Sequence, residues 1–330
     1  MTLVRERRHR HALRLSLPPP NSAAEFQRQT HDFPTFLPSP SCWPDSSGIK
    51  SLFDLEKMAV LGHGSSGTVY KVFNRKTKSI FALKVLQVDQ YVVSIHRQTA
   101  REAEILKRVD SQYIVRCHGV FDNGFTETEG GGRGLCFVME YMEGGSLQDV
   151  LRVHQRLPEH VISGVARRVL EGLHYLHGMQ IVHRDIKPSN LLVNDMGEVK
   201  IADFGVSHVV AGTRETLDSN MGTFAYMSPE RFDPERWGGD NADGFAGDVW
   251  SLGVVVLECC VGHFPLINSA KQQLDWASLM CAICFEERPE MPETASPELQ
   301  SFVQRCLEKD WTNRGTVTEL LGHPFVKKRT

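Results

Sequence analysis

Long apolar runs are what this chain most plainly lacks. Nothing in its 330 residues approaches the roughly 18 consecutive apolar residues that a membrane-spanning helix needs. The longest candidate, Val254-Val255-Val256-Leu257, is cut off by Glu258. No secretory apolar stretch follows the N-terminus either, because arginines recur through Arg14. Charge of one sign is also missing: 37 Lys and Arg against 40 Asp and Glu leave a net −3. That balance gives no general reason to expect nucleic acid or an anionic membrane as partner. The eight cysteines show no secreted disulfide rhythm. Cys281-Ala282-Ile283-Cys284 is a lone CxxC with no second pair, so zinc is not expected and both thiols are assigned to apolar helix positions. A reducing compartment follows, the cytoplasm first and the nucleus second. No internal repeat is visible. Hydrophobic residues make up 41 %, enough for a sizeable core, and the length suits one two-lobed unit of ~270–280 residues plus a tail.

Against these absences stands one dense stretch of chemistry. His183-Arg184-Asp185-Ile186-Lys187-Pro188-Ser189-Asn190 precedes Asp203-Phe204-Gly205. Together they supply a carboxylate base, a cation and two metal-binding side chains. Moving a phosphoryl group from ATP to a hydroxyl requires that set: Asp185 to orient the hydroxyl and accept its proton, Lys187 to neutralise charge, and Asn190 with Asp203 to hold Mg²⁺.

Upstream, Leu61-Gly62-His63-Gly64-Ser65-Ser66-Gly67-Thr68-Val69 is a glycine-rich hairpin whose bare backbone suits triphosphate oxygens. Its rival reading, a dinucleotide-binding fingerprint, fails because the following Val69-Tyr70-Lys71-Val72-Phe73 alternates like a strand instead of opening a helix. Phe81-Ala82-Leu83-Lys84-Val85 is a buried-looking strand with one lysine. Such a lysine is costly without a partner, so it is expected to face phosphates and a carboxylate. Glu102, in a helical stretch from Gln98 to Arg108, is the first candidate for that carboxylate and Glu104 the second.

The organisation is α+β. Residues 1–47 are rich in proline and serine, without a sustained apolar period, and are expected to be extended or disordered. Strand-like runs follow at Phe53 and Leu55, Met58–Leu61, Val69–Phe73 and Ile80–Leu86, then a helix near 97–108 and strands near 113–121 and 135–140. Asp122–Gly134, with Gly130-Gly131-Gly132, reads as a long hairpin insertion. Beyond Met142 the pattern turns helical: Ile162, Val165, Val169, Leu173 and Leu176 keep the 3.6-residue period, with Gly178 as a stop, and Asp248–Val261 reads as a buried central helix. This divides the chain into a tail (1–47), a small β-rich lobe (48–142) and a larger helical lobe (143–330), with ATP held between the lobes.

These motifs, together with Ser228-Pro229-Glu230, Asp248-Val249-Trp250-Ser251-Leu252-Gly253 and Arg314, make residues 50–328 resemble a eukaryotic protein kinase domain, and the details resemble a MAP kinase kinase of the plant type. The resemblance implies a bilobal kinase fold in which Lys84 pairs with Glu102, Glu230 with Arg314, and Asp248 supports the catalytic loop. It also implies that Met139 is the gatekeeper, that Glu140 and Met142 offer backbone groups to adenine, and that Leu61, Val69, Ala82 and Leu192 sandwich the purine. Ser189 and the substrate-facing segment Gly222–Arg231, where Thr223 would bond toward Asp185 and Lys187, are similar to that family. So is the activation segment: Thr213 and Ser219 have five residues between them, where animal relatives have three, and Thr216 is one of the five. The implied switch is phosphorylation of Thr213 and Ser219 by an upstream MAP kinase kinase kinase, the new charge pairing with Arg184.

The tail implies a downstream partner. Arg7-Arg8-His9-Arg10 precedes Leu13-Arg14-Leu15-Ser16-Leu17, cations followed by alternating leucines, as a docking site for a MAP kinase would be. A solvated basic tail and an organellar transit peptide stay open beside it, since Glu6 is the one acidic residue among the first 24. The expected activity is transfer of the ATP γ-phosphoryl, with Mg²⁺, to the threonine and tyrosine of a T-x-Y segment. Another serine/threonine kinase of a cascade and a silent kinase-fold scaffold are the alternatives. The short stretch after Arg314 leaves no room for the C-terminal transport-factor-like domain that some plant relatives carry.

Overall fold

The structure is a computed structural model describing residues 49–64, 67–87, 102–123, 134–204, 208–209, 224–238, 244–267, 276–289 and 291–327. The tail with its docking residues, Ser65, Ser66, Thr213, Thr216, Ser219 and Thr223 lie outside the described residues. All described residues belong to one compact unit, Leu37–Thr330.

Five antiparallel strands form the first layer: β1 (Leu55–Gly64), β2 (Gly67–Asn74), β3 (Ser79–Gln87), β4 (Cys117–Asn123) and β5 (Gly134–Glu140), in the order β1-β2-β3-β5-β4. Side-chain alternation gives the sheet two faces. Val72, Phe81, Leu83, Cys136 and Val138 point one way into a small core that Ile49 closes, with Leu52 and Leu55 packed against it. The opposite face carries Val69, Ala82, Lys84 and Met139, through the pairs Val69 with Lys84 and Ala82 with Met139. Helix α1 (102–108) lies against this lobe and buries Ala103, Ile105 and Leu106 while Glu104 stays exposed. Phe53 is not in a strand. It sits in a 3-10 turn, Leu52–Asp54, and is 99 % exposed. Strand β4 starts later than the apolar pattern suggested, because Ile114 makes an isolated bridge to Ile201 instead.

The second layer is helical. Helix α2 (Leu147–His154) opens on a capping box in which Ser146 and Asp149 bond each other's backbone amides. Helix α3 (Glu159–Gly178) buries the Ile162, Val165, Val169, Leu173 and Leu176 stripe. Its end differs from expectation: Gly178 stays helical, and the left-handed turn falls on Gln180, whose Nε2 donates to His177 O at 3.2 Å. Short strands β6 (Ile181–Val182), β7 (Leu191–Val193), β8 (Val199–Ile201) and β9 (His208–Val209) follow, paired β6–β9 and β7–β8. Two single-turn helices, α4 (Pro229–Phe232) and α5 (Pro234–Trp237), precede α6 (Phe245–Val261). Helix α6 is buried almost all round, from Gly247 to Leu257, as a helix apolar on every side must be. A helical turn α7 (Trp276–Met280) runs into a π-turn, Cys281–Phe285, and α8 (Pro297–Cys306) and α9 (Val317–Leu321) complete the layer. The CxxC is thus split, with Cys281 exposed and Cys284 buried. Among the described residues no helix is long and apolar enough to cross a membrane.

Candidate active site

Strand β3 delivers Lys84 to the face opposite the small core, and its ammonium meets two carboxylates there. Nζ lies 2.7 Å from Glu102 Oε1 on α1 and 2.9 Å from Asp203 Oδ1, two residues beyond β8. Glu102, not Glu104, is therefore the partner. Burial pushes the Lys84 ammonium toward the neutral form, but the Asp203 and Glu102 carboxylates outweigh it and hold its pKa above the ordinary value. Burial lifts the Glu102 carboxyl and Asp203 adds to that, against Lys84. The direction that stands is a retained ammonium, since two carboxylates face one cation. Asp203 is 43 % exposed and adopts φ 64°, a left-handed backbone uncommon for a residue with a side chain.

Asp185 is held by its own loop. Lys187 Nζ lies 2.8 Å from Asp185 Oδ2, and Asn190 Nδ2 donates to the same oxygen at 2.8 Å and to Asp185 O at 2.9 Å. Asp185 Oδ1 is left to face a substrate hydroxyl, and the Asn190 amide oxygen, with both Nδ2 bonds turned to Asp185, is left as a metal ligand. Asp248, at the start of α6, fixes the backbone of this loop: it accepts from His183 N at 2.9 Å and Arg184 N at 2.7 Å. Those bonds hold Arg184 in a left-handed conformation, φ 69°. Burial would raise the Asp248 carboxyl, yet bonds from His177 and His183 hold it below the ordinary value. His183, fully buried, accepts from Asp185 N through Nδ1 at 3.3 Å and meets Ala202 O through Nε2 at 3.2 Å, which places the proton on Nε2. Catalytic loop and Asp203 are thereby tied through one imidazole.

The positions expected to face a purine lie as follows. Gly62 pairs with Val69, Ala82 with Met139, and Leu192 bridges to Ser146, while Leu61 stays largely exposed at the rim. His63 Nδ1 is 3.2 Å from Thr68 Oγ1 across the hairpin, and Gly64 pairs with Gly67. The Glu140 side chain is turned to Lys200 Nζ and to Arg116 N, and Met142 is buried with its carbonyl accepting from Gly145 N at 3.3 Å. On the substrate side Arg314 donates two hydrogen bonds to the Glu230 carboxylate, at 2.8 and 2.9 Å, both side chains buried.

Sequence reasoning missed three residues. His177 donates to Asp248 Oδ2 at 2.9 Å, Arg231 NH1 donates to Arg184 O at 2.9 Å, and Tyr226 donates to Glu258 Oε2 at 2.6 Å. Nothing local marks His177, an ordinary helix residue by pattern; Tyr226 and Arg231 lie in the Gly222–Arg231 segment, which names neither of their partners.

Residues 55–326 match the protein kinase domain family. Over 330 residues, 100 % of both chains, the sequence is 51 % identical to mitogen-activated protein kinase kinase 10 of Arabidopsis thaliana. It is 46 % identical to kinase kinases 7 and 9 of the same plant, over 99 % of each chain. The chain belongs to the plant MAP kinase kinases. This MAP kinase kinase is an ATP-dependent protein kinase with the bilobal fold of its family, and a silent scaffold is set aside. Protein kinases use ATP with Mg²⁺, and two observations fit that use here. A Cβ added to Gly62 would meet no protein atom within 4 Å, so the bareness of that glycine serves nothing within the chain. The oxygens of Asp203 and Asn190 form a hard donor pair of the kind Mg²⁺ takes.

Proposed function

We propose that this MAP kinase kinase phosphorylates both the threonine and the tyrosine of the T-x-Y segment of a MAP kinase. In this reading it is activated at Thr213 and Ser219 by a MAP kinase kinase kinase and docks its substrate through Arg7, Arg8, Arg10, Leu13, Leu15 and Leu17. The observation that carries the reading is the reach of the likeness: three MAP kinase kinases match from end to end, tail and activation segment included. The cytoplasm is the proposed place of work, with the nucleus as the alternative.

The chemistry follows from the geometry. Asp185, aligned by Lys187 and Asn190, orients the incoming hydroxyl and takes its proton on Oδ1. Lys187 offsets charge beside it. Lys84, positioned by Glu102, presents its ammonium to phosphate oxygens, and the backbone of the β1–β2 hairpin covers them. Asn190 and Asp203 would hold Mg²⁺, which when bound neutralises charge on the transferred phosphoryl. Incubating the activated enzyme and its Asp185→Asn variant with a catalytically dead MAP kinase and radiolabelled ATP, then mapping the modified residues, tests the reading. Label on both threonine and tyrosine, lost by at least about a hundredfold in the variant, is expected. Label on threonine alone would make it a single-specificity kinase of the cascade.

A further inference from the structure

Two neighbouring residues of α4 are tied to different parts of the helical lobe. Glu230 accepts two hydrogen bonds from Arg314, far along the chain, at 2.8 and 2.9 Å. Arg231 turns to the catalytic loop instead, and its NH1 donates to Arg184 O at 2.9 Å. The Arg231 stem passes Gly247 of α6, where an added Cβ would stand 3.4 Å from Arg231 Cδ and 3.3 Å from Ser228 Oγ, so a glycine leaves room at that crossing. Burial holds the Arg231 pKa below the ordinary value, against the pull of the Asp248, Glu230 and Asp185 carboxylates, and a guanidinium still keeps its proton. The catalytic carboxylate is thus one of the charges that Arg231 feels.

The carbonyl that Arg231 holds belongs to the peptide joining Arg184 to Asp185. The N–H of that peptide, Asp185 N, donates to His183 Nδ1 at 3.3 Å. The peptide before it is fixed by Arg184 N, which donates to Asp248 Oδ1 at 2.7 Å. Between these anchors Arg184 keeps φ 69°, a left-handed backbone that a residue with a side chain retains where its surroundings over-determine it. Asp248 grips the amide side of Arg184, and Arg231 grips the carbonyl side.

We propose that Arg231 is a positioning residue for Asp185: by holding the Arg184 carbonyl from the substrate-facing segment, it aligns the carboxylate that receives the substrate hydroxyl. The inference rests on the reading of Asp185 as the base given above. Seating of the segment and alignment of the base become one event, because a shift of α4 withdraws the guanidinium from the loop. Once released, the Arg184 backbone relaxes toward an ordinary conformation and carries Asp185 with it. A displacement of about 1 Å at a reacting group can lower the rate about a hundredfold.

Label transfer from MgATP to a catalytically dead MAP kinase would compare the activated wild type with Arg231→Met, Arg231→Lys, Asp185→Asn and the Asp185→Asn, Arg231→Met double variant. Methionine keeps an unbranched stem and removes every donor. The expected kcat of Arg231→Met is about a hundredfold lower, with KM for MgATP unchanged. Arg231→Lys should recover part of it, because its ammonium ends short of where NH1 stands. In the Asp185→Asn background the methionine should cost less than about threefold more, whereas a purely structural Arg231 would impose its full loss there too. An unchanged kcat in Arg231→Met, or an equal loss in both backgrounds, would overturn the inference and leave the base reading intact. Wild-type activity in Asp185→Asn would remove the base reading and this inference with it. If the melting curve shows that Arg231→Met does not fold, Arg231→Lys decides: a reduced kcat at unchanged KM for MgATP supports the assignment, and a wild-type kcat overturns it.

Discussion

Arg314 directs all five of its N–H groups inward. Two go to Glu230, and the others to the carbonyls of Ala246, Glu308 and Lys309, with the guanidinium 5.2 Å from the Trp250 ring centre. Planar, five-donor geometry is what lysine cannot copy. Removing one member of such a buried pair leaves the other's charge without compensation, a cost of about 3–5 kcal/mol. Arg314→Ala is therefore expected to lower unfolding free energy by that amount in urea titration. Arg314→Lys should recover only part of it, because one ammonium cannot reach all those acceptors. A loss below about 1 kcal/mol in Arg314→Ala would show that the pair is not what holds this corner. At this scale the sequence was informative where a motif named both partners. The Lys84–Glu102 contact and the Glu230–Arg314 contact are both present at bonding distance. It was silent where a partner is generic: His177 on α3 and Arg231 on α4 find the catalytic loop only through the packing of separate helices.

At the scale of elements, the β1–β2 hairpin separates two demands on glycine. Gly67 sits at φ 150°, and a Cβ there would stand 2.0 Å from Val85 O on the neighbouring strand. Gly62, by contrast, faces open space. Gly67→Ala is expected to disturb the β2–β3 pairing and cost about 1–3 kcal/mol in thermal or urea unfolding, the price of overpacking. Gly62→Ala should leave stability within about 0.5 kcal/mol yet weaken nucleotide binding in a titration with MgATP. If both variants lost stability alike, the hairpin would be a purely structural turn. Element order was readable because alternation survives in the strands, the 3.6-residue period in α3, and a mostly apolar run in α6. Boundaries were not, and the reasons are local. Phe53 was drawn into a strand by its hydrophobicity, although the chain turns at Leu52–Asp54. Gly178 looked like a stop, but the helix ends on hydrogen bonds from the Met179 amide back to Tyr175 and Leu176. The π-turn leaves no trace in periodicity over five residues.

For the molecule as a whole, the question is how a kinase of this kind engages a folded protein and not merely an exposed hydroxyl. Catalytic geometry around Asp185 and Lys84 supplies the chemistry, and any accessible side chain of the right length satisfies it. Selectivity must come from contacts elsewhere, and in the proposed reading the basic tail would add one through effective concentration: once the tail is held, delivery of the T-x-Y loop would become intramolecular. Cations at Arg7, Arg8 and Arg10 would be drawn to an acidic patch, and that attraction is screened beyond about 8 Å at physiological salt. Deleting residues 1–17 is accordingly expected to raise KM for a folded MAP kinase about tenfold, to flatten its dependence on salt, and to leave a short peptide's kinetics untouched. Restoring the leucines alone should recover less than restoring leucines and arginines together. A tail that acted as a transit peptide would behave otherwise. Its deletion would leave KM unchanged in vitro, and the chain isolated from plant tissue would begin after the basic stretch, which N-terminal sequencing would reveal.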